Sequence, residues 1–378
     1  MHYPLNEYFK LFSDCSVVSG YRNSILLDFT RPNMTNFVPC ELQLFIDRCE
    51  NKSLGEVLSN HNDSDNQIIF EYLDFMIKNE FGFFISKTLK DNFPAINTKL
   101  IKSPEIIDNA ILEVDPENLD YLKSIYLLLE KCLVSSLEIR VKSLSKSHLE
   151  NIINIFSYSM IQSIKIYLYS IPKATNLEDL NKLVCKNTRI KKLIAFGGDN
   201  STVSEDKVVE ISAKNFNEHQ IVRANIINLS YHLESQNVCT YRYKKLYIEF
   251  NGDIKNYPNS EKIIGNIQKD KLENLIETLS AEAVENYDWY VTKDKINVCK
   301  DCEFRTVCFT NNLPVKNKLG SYLLETECTY NPYISKTKGE EGYHTLEECG
   351  VISNENCFSV DHEKIAKINK ELWGEEEN

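Results

Sequence analysis

Four cysteines late in the chain constrain it more than any other feature. They lie in Cys299-Lys-Asp-Cys302-Glu-Phe-Arg-Thr-Val-Cys308 and, after nineteen further residues, in Cys328-Thr-Tyr-Asn-Pro-Tyr333. Thiolates at i and i+3 can turn onto one point, and a third six residues on closes a tight loop around it. A fourth from beyond the next loop completes a four-cysteine site for zinc or an iron–sulfur cluster. The alternative is a set of reduced, partly buried thiols or surface disulfides.

Composition narrows the setting of that site. With 378 residues the chain has room for two or three domains, taking about 150 residues for each. An apolar share of 42%, with 11% aromatics, supports packed cores. A net charge of -12 excludes a general nucleic-acid binder, which needs a basic face. No apolar run is long enough to span a bilayer, and the start, Met-His-Tyr-Pro-Leu-Asn-Glu, lacks the regions of a signal peptide. A cytoplasmic protein with no nucleic-acid or membrane partner is therefore expected. In a reducing compartment twelve cysteines do not make a disulfide framework. Cys15, Cys40, Cys49, Cys132 and Cys185, scattered among apolar residues, read as core filler.

The first ninety residues read as short strands, three helices and a wing. Tyr8 to Phe12, Cys15 to Ser19 and Ser24 to Asp28 have aromatic or β-branched content between turn residues. Leu42, Phe45, Ile46 and Cys49 share a helical face, Ser53-Leu-Gly-Glu56 is a capping box, and Ile69, Leu73, Met76 and Ile77 follow helical spacing. Phe81 to Ser86 is the wing, giving a winged helix-turn-helix over 1–90. The third helix, with Glu71, Asp74 and one Lys78, is too acidic to contact phosphates. A purely structural domain is the open alternative.

Residues 100–235 alternate strand-like and helix-like stretches at βα-unit spacing. Asp115-Pro116-Glu117 and Ser147 to Glu150 start helices, as does Asn176 to Asp179. Leu137, Ile139 and Val141, then Ile164, Ile166 and Leu168, then Leu193 and Ala195, alternate as strands. The fold class is α/β, an open or partly closed parallel sheet flanked by helices. No phosphate-cradling glycine motif occurs. Gly197-Gly198-Asp199 reads as a turn, His148 and His219 as surface residues. His232-Leu-Glu234 lacks the downstream Pro-Cys-x-x-Cys of a zinc deaminase. From Cys239 a strand around Tyr241 to Phe250 leads to an Asn251-Gly252 turn, a helix near Lys271 to Val284 and the cysteines. Residues 346–378 form a docking helix carrying Ile365, Ile368 and Leu372, then an acidic tail.

Two stretches resemble known families. The helix spacing of FVPCELQLFIDRCENKSLGEVLSNH and IIFEYLDFMIKNEFGFFIS is similar to leader-peptide recognition elements of ribosomally made, post-translationally modified peptide pathways. That resemblance implies that a leader peptide adds as a strand to the edge Ser24 to Asp28, through Ser24, Leu26 and Asp28, against a groove wall of Phe70, Asp74 and Ile77. Residues 236–345 resemble the SPASM domain of radical SAM peptide-modifying enzymes: Cys239, Gly252, Cys299, Cys302, Cys308 and Cys328 match its pattern. Tyr257 and Asn312 stand at two other ligand positions, so the resemblance implies that one auxiliary site survives, that of Cys299, Cys302, Cys308 and Cys328. The radical Cys-x3-Cys-x2-Cys triplet is absent before Cys239, so no S-adenosylmethionine is expected.

Together CKDCEFRTVC, ECTYNPYISKTKGEEGY and the missing triplet resemble the SPASM-domain maturases of grasp-with-spasm peptide systems. The resemblance implies a degenerate partial (β/α) barrel of the radical SAM type between the winged helix and the cysteine-rich domain. It also implies one [4Fe–4S] cluster, or zinc in its place, and two partners: a precursor peptide and an ATP-grasp ligase. Arg305 and Lys336 are expected to donate to thiolate sulfur or to a peptide carboxylate, with Tyr330 and Tyr333 shielding the site or simply packing. Cys349 and Cys357 read as free thiols. An enzyme using non-radical chemistry and a zinc-stapled regulator remain as alternatives.

Overall fold

The computed structural model describes residues 3–94, 96, 104–114, 121–142, 146–170, 177–196, 202–203, 209–212, 223–285 and 287–374. The chain makes two compact units, each from separate stretches. One takes Met1–Ile101, Arg223–Thr240 and Val291–Asn378, the other Lys102–Val222 and Tyr241–Tyr290. Each unit thus draws residues from both sequence blocks, 100–235 and 236–345.

The first unit opens with β1 (Tyr8–Leu11), β2 (Cys15–Ser19), β3 (Ser24–Asp28) and β4 (Asn36–Val38), then α1 (Glu41–Cys49), α2 (Leu54–Leu58), α3 (Asp63–Lys78) and β5 (Gly82–Ile85). The helices form where the patterns place them, for visible reasons. At α2 the Ser53 backbone N–H donates to the Glu56 carboxylate at 2.7 Å and Glu56 N–H donates to Ser53 Oγ at 3.4 Å. Asn62 caps α3 by accepting from Asp65 N–H, and α3 turns Ile69, Leu73 and Met76 inward. Strand β5 returns antiparallel to β1, while β2, β3 and β4 form a separate antiparallel sheet with β3 in the middle. Phe9, Leu26, Leu42, Phe45, Leu54, Leu73 and Phe81 fill the core between them.

The second unit is α/β. In chain order it runs β6 (Asn109–Val114), α4 (Leu122–Lys131), β7 (Ser136–Val141), α5 (Lys146–Ile155), β8 (Ser163–Leu168), α6 (Leu177–Val184), β9 (Ile190–Phe196), β10 (Thr202–Val203) and β11 (Val209–Ser212). After β12 (Arg223–Asn225) and α7 (Leu229–Ser235), which belong to the first unit, come β13 (Lys245–Ile248), β14 (Asp253–Lys255), β15 (Ile263–Asn266) and α8 (Leu272–Glu285). Among the described residues nine strands share one sheet in the order β10-β11-β9-β8-β7-β6-β13-β14-β15, parallel from β11 to β13 and antiparallel at both ends. Alternation decides which face is buried: Leu137, Ile139 and Val141 of β7 and Ile164, Ile166 and Leu168 of β8 pack with Ile125 and Leu129 of α4, Ile152 of α5 and Phe156 just after it. Gly252, at φ +85°, makes the predicted turn between β13 and β14. The expected helix start at Asp115, the start residue Asn176, the Gly197–Asp199 turn, His219 and the acidic residues 375–378 lie outside the described residues.

The rest of the first unit is a run of small ladders: β16 (Cys308–Thr310) against β12, β17 (Pro314–Lys316) against β18 (Tyr322–Leu324), β19 (Tyr330–Asn331) against β20 (Lys336–Thr337), and β21 (Val351–Ser353) against β22 (Phe358–Val360). Helix α9 (His362–Trp373), capped by Asp361, buries Ile365 and Ile368 against Tyr333, Ile334, Cys349 and Val351, as its spacing predicts. Among the described residues no helix is long and apolar enough to cross a membrane.

Candidate functional site

Successive turns fold the cysteine loop back on itself. Cys302 N–H donates to Cys299 O at 3.1 Å, Arg305 N–H to Cys302 O at 3.2 Å, and Cys308 N–H to Phe304 O at 2.7 Å. The loop starts under strain: Val298 sits at φ 68°, ψ -48°, the γ-turn region, which a β-branched residue rarely adopts. Cys308 opens β16, whose register with β12 sets Asn225 opposite Cys308 and Arg223 opposite Thr310. Cys328 lies just before β19.

The hairpin between β2 and β3 clamps the loop. Tyr21 N–H donates to Asp301 O at 2.7 Å, and Arg305 donates through Nη1 to Ser19 O and to Cys302 O. Val307 packs with Val18, Ile25 and Leu27. Arg305 is thus engaged by backbone carbonyls, and Lys336 lies over the Trp373 ring at 4.4 Å. Neither takes the thiolate-donor role expected from sequence. Tyr333 is fully buried and donates to Asp301 Oδ2 at 2.7 Å; Tyr330 donates to Glu303 Oε1. Both tyrosines are framework.

The thiols share one electrostatic neighbourhood. Burial pushes the Cys299 thiol up to about 12; Lys293 and Arg223 pull it down, while Cys308 and Cys328 push it further up. Burial also holds the Cys302 thiol well above its ordinary value, helped by Glu303, Cys299 and Cys308. Burial works to lower the Arg223 guanidinium, but Cys328, Cys308 and Cys302 outweigh it and push it up. Four thiols suit zinc or an iron–sulfur cluster in kind. Among the described residues, however, no three His, Cys, Asp or Glu side chains stand as a metal-holding group. The fold gathers the donors without closing them around a point.

Tyr257 and Asn312, which stand where the SPASM resemblance would expect further ligands, make other contacts. Tyr257 stacks under Arg242 at 4.9 Å, and Asn312 binds Thr326 through both its amide oxygen and nitrogen. Of the five scattered cysteines, Cys15, Cys49 and Cys132 are buried, whereas Cys40 is half-buried and Cys185 exposed, which corrects the core-filler reading for those two. Cys349 is buried and accepts from Asn331 Nδ2 at 3.4 Å.

The expected peptide edge needs correction. Strand β3 is paired on one side by β2 and, over Ser24 to Leu26, on the other by β4, so its backbone is already committed. Ser24, Leu26 and Asp28 are buried. Asp28 accepts from Thr30 N–H, Arg31 N–H and Arg31 Nε, closing the turn after the strand. Phe70 stacks on Tyr3 at 6.0 Å, Asp74 accepts from the Tyr3 hydroxyl, and Ile77 packs on the core. The outer strands of this sheet are β2 and β4. Sequence reasoning missed β4 because its three residues, Asn-Phe-Val, are too few to show alternation.

His232 is a core residue, 6% exposed, its ring 4.7 Å from that of Phe29. Burial lowers it from 6.5 to about 4. A histidine depressed in the fold gives up stability as pH falls: the contribution is whole above 6.5 and gone near 4. Over that window the unfolding free energy should drop by roughly 3 kcal/mol on this account. His232→Phe, which keeps the ring contact, should flatten the drop in urea denaturation measured across the window; an unchanged slope would contradict the assignment.

The second unit carries its own polar group. Glu113 and Arg140 are opposite each other on β6 and β7. Tyr169 donates to Glu113 Oε1 at 3.3 Å, and Arg140 Nε lies 2.6 Å from Glu138. Burial, against Tyr247 and Arg140, pushes the Glu113 carboxyl up. Glu113, Arg140 and Tyr169 lie at or just past the C-terminal ends of β6, β7 and β8, where α/β sites are found.

No family model matches the sequence, and no curated protein matches it. Among solved structures it aligns with SuiB of Streptococcus suis, over 79% of this chain and 94% of that one: SuiB (TM-score 0.30, 11% identity), SuiB bound to S-adenosylmethionine (0.32, 11%) and SuiB bound to precursor peptide SuiA (0.23, 10%). At these values the likeness assigns neither fold nor activity.

Proposed function

We propose that this chain is a peptide-maturation protein. It holds the leader of a precursor peptide on its N-terminal, winged-helix-like part and presents the remainder to an ATP-grasp ligase. Cys299, Cys302, Cys308 and Cys328 would hold one [4Fe–4S] cluster, or zinc, in a SPASM-like region, and the α/β unit would be the degenerate barrel. The family resemblance of the cysteine motifs supports the ligase partner and the cluster.

One observation carries the reading: the N-terminal sheet and the cysteine loop are a single packed piece. Outer strand β4 presents Phe37, 57% exposed, whose ring meets Phe304 of the loop edge-on at 5.7 Å. A leader strand added to β4 would gain backbone hydrogen bonds there and an aromatic contact beside the loop. Phe37→Ala should weaken precursor binding by at least about fivefold in fluorescence anisotropy. A precursor lacking its leader that binds as well as the full one would sink the proposal.

The Glu113–Arg140–Tyr169 group favours a second reading, an enzyme modifying the precursor by non-radical chemistry, because perturbed titratable groups gather at active sites. A mass change of the precursor on incubation with this protein alone would select it.

A further inference from the structure

Two hydrogen bonds fix which backbone groups of β4 are free. Gly20 N–H donates to Asn23 O at 2.8 Å at one end of the β2–β3 ladder, and Phe29 N–H donates to Asp14 O at 2.9 Å at the other. Bonded and unbonded pairs alternate along an antiparallel ladder. Counted from either end, Val18–Ile25 and Ser16–Leu27 are bonded pairs, so the groups of Ser24 and Leu26 turn the other way, towards β4. Their partners there are Val38 and Asn36, which leaves Phe37, opposite Ile25, with its N–H and C=O on the outer side. The edge closes right after it. Pro39 has no N–H, and its carbonyl accepts from Leu42 N–H at 3.2 Å. Among the described residues from Asn36 to Pro39, Phe37 alone therefore presents both a donor and an acceptor outward.

The same register fixes the side chain that goes with those groups. Phe37 shares a face with Ile25 and Val18, the face that packs on Val307 and Phe304. From the core outward the rings run from buried Tyr330 to Phe304 at 5.2 Å, then to exposed Phe37 at 5.7 Å, where the series ends. We propose that β4 takes one added peptide strand, in the register that sets a large apolar or aromatic residue of that strand directly opposite Phe37, and that Phe304 selects this residue. That the strand belongs to a precursor leader rests on the peptide-maturation reading; its placement rests on the ladder alone. Residues directly opposite lie on one face whether strands run parallel or antiparallel, so the selected side chain extends the ring series in either direction of addition. Two backbone bonds to Phe37 are too few to hold a strand by themselves, which makes the residue opposite Phe37 decisive for affinity.

The test uses the full chain and, as probe, a displayed library of random peptides of about twelve residues panned on wild type. Phe37→Pro removes the outward N–H yet keeps the Asn36 and Val38 bonds to β3, because the lost donor lies outside the ladder. The selected peptides, synthesised with a fluorescent label, should share one large apolar position and bind Phe37→Pro at least about tenfold more weakly in anisotropy. Phe304→Ala should bind them about fivefold more weakly and lose the preference for a large residue over alanine at that position. Equal affinity for wild type and Phe37→Pro, or a size preference that survives in Phe304→Ala, overturns the proposal. A library that yields no binder overturns it too, as does a dimer in light scattering that Phe37→Pro dissolves, which assigns the edge to a second copy. If Phe37→Pro fails to fold by circular dichroism, Phe304→Ala decides. A precursor that does not displace the selected peptides overturns the peptide-maturation reading and leaves the edge site standing.

Discussion

Alanine in place of Gly20 should cost about 3 kcal/mol of unfolding free energy, the upper part of the range for overpacking a close contact. A Cβ built there would lie 2.6 Å from Glu303 Oε2, 2.7 Å from Asn23 O and 2.8 Å from Glu303 N. Two of those three atoms are backbone, so the neighbours cannot rotate away. Either the hairpin between β2 and β3 or the cysteine loop has to move. Shortening Glu303 removes one of the three contacts, so Gly20→Ala should stay destabilising in a Glu303→Ala background. The movement would also break the Tyr21–Asp301 and Arg305–Ser19 bonds that register hairpin against loop. The unfolding midpoint in urea measures the effect. A midpoint unchanged from wild type would mean that the hairpin and the loop do not pack as described.

Gly20 shows why parts of this fold were legible in the sequence and others were not. Local signals read well: the Ser53–Glu56 box, the spacing of Ile69, Leu73 and Met76, and the alternation of Leu137, Ile139 and Val141 all mark elements that form. Each depends on hydrogen bonds or faces within one element. Features set by distant pairing stayed hidden. Strand β6 went unmarked because Ile111 and Leu112 break its alternation, and β13 was assigned to the cysteine-rich part although it pairs with β6. The same blindness affected the site. Arg305 stands among the cysteines and reads as their partner, yet a hairpin almost three hundred residues upstream supplies the carbonyl it binds. Arg223, remote in sequence, feels the charge of Cys328, Cys308 and Cys302, whereas Arg305 feels Cys302. Asp28 reads as an edge residue but closes its own turn through Arg31. A charge beside a motif shows what is near along the chain; which acceptor it finds is a property of the packed unit.

If Cys299, Cys302, Cys308 and Cys328 hold a metal as proposed, serine at Cys302 should remove it. Cys302 adjoins Glu303, which is fully buried, and its carbonyl accepts from both Arg305 N–H and Arg305 Nη1, so the residue is fixed at the centre of the loop. A hydroxyl is a poor replacement for thiolate on zinc or iron, and three remaining ligands leave the centre open. Metal per chain, by plasma emission, should fall below about one-tenth of wild type, whereas Cys185→Ser, at an exposed position, should match wild type. In small zinc fingers the metal contributes roughly 10–16 kcal/mol to folding. Here Tyr21, Arg305, Val307 and Tyr333 anchor the loop independently, so Cys302→Ser should open the 299–308 segment to protease while the rest stays folded. The pH dependence has a definite sign. Burial raises both the Cys299 and Cys302 thiols, so loading must strip protons that the fold itself retains, and uptake should strengthen as pH rises. Equal loading at about pH 6 and about pH 8 would mean that these two thiols are not ligands. Full metal content in Cys302→Ser would remove the basis for a four-cysteine site altogether.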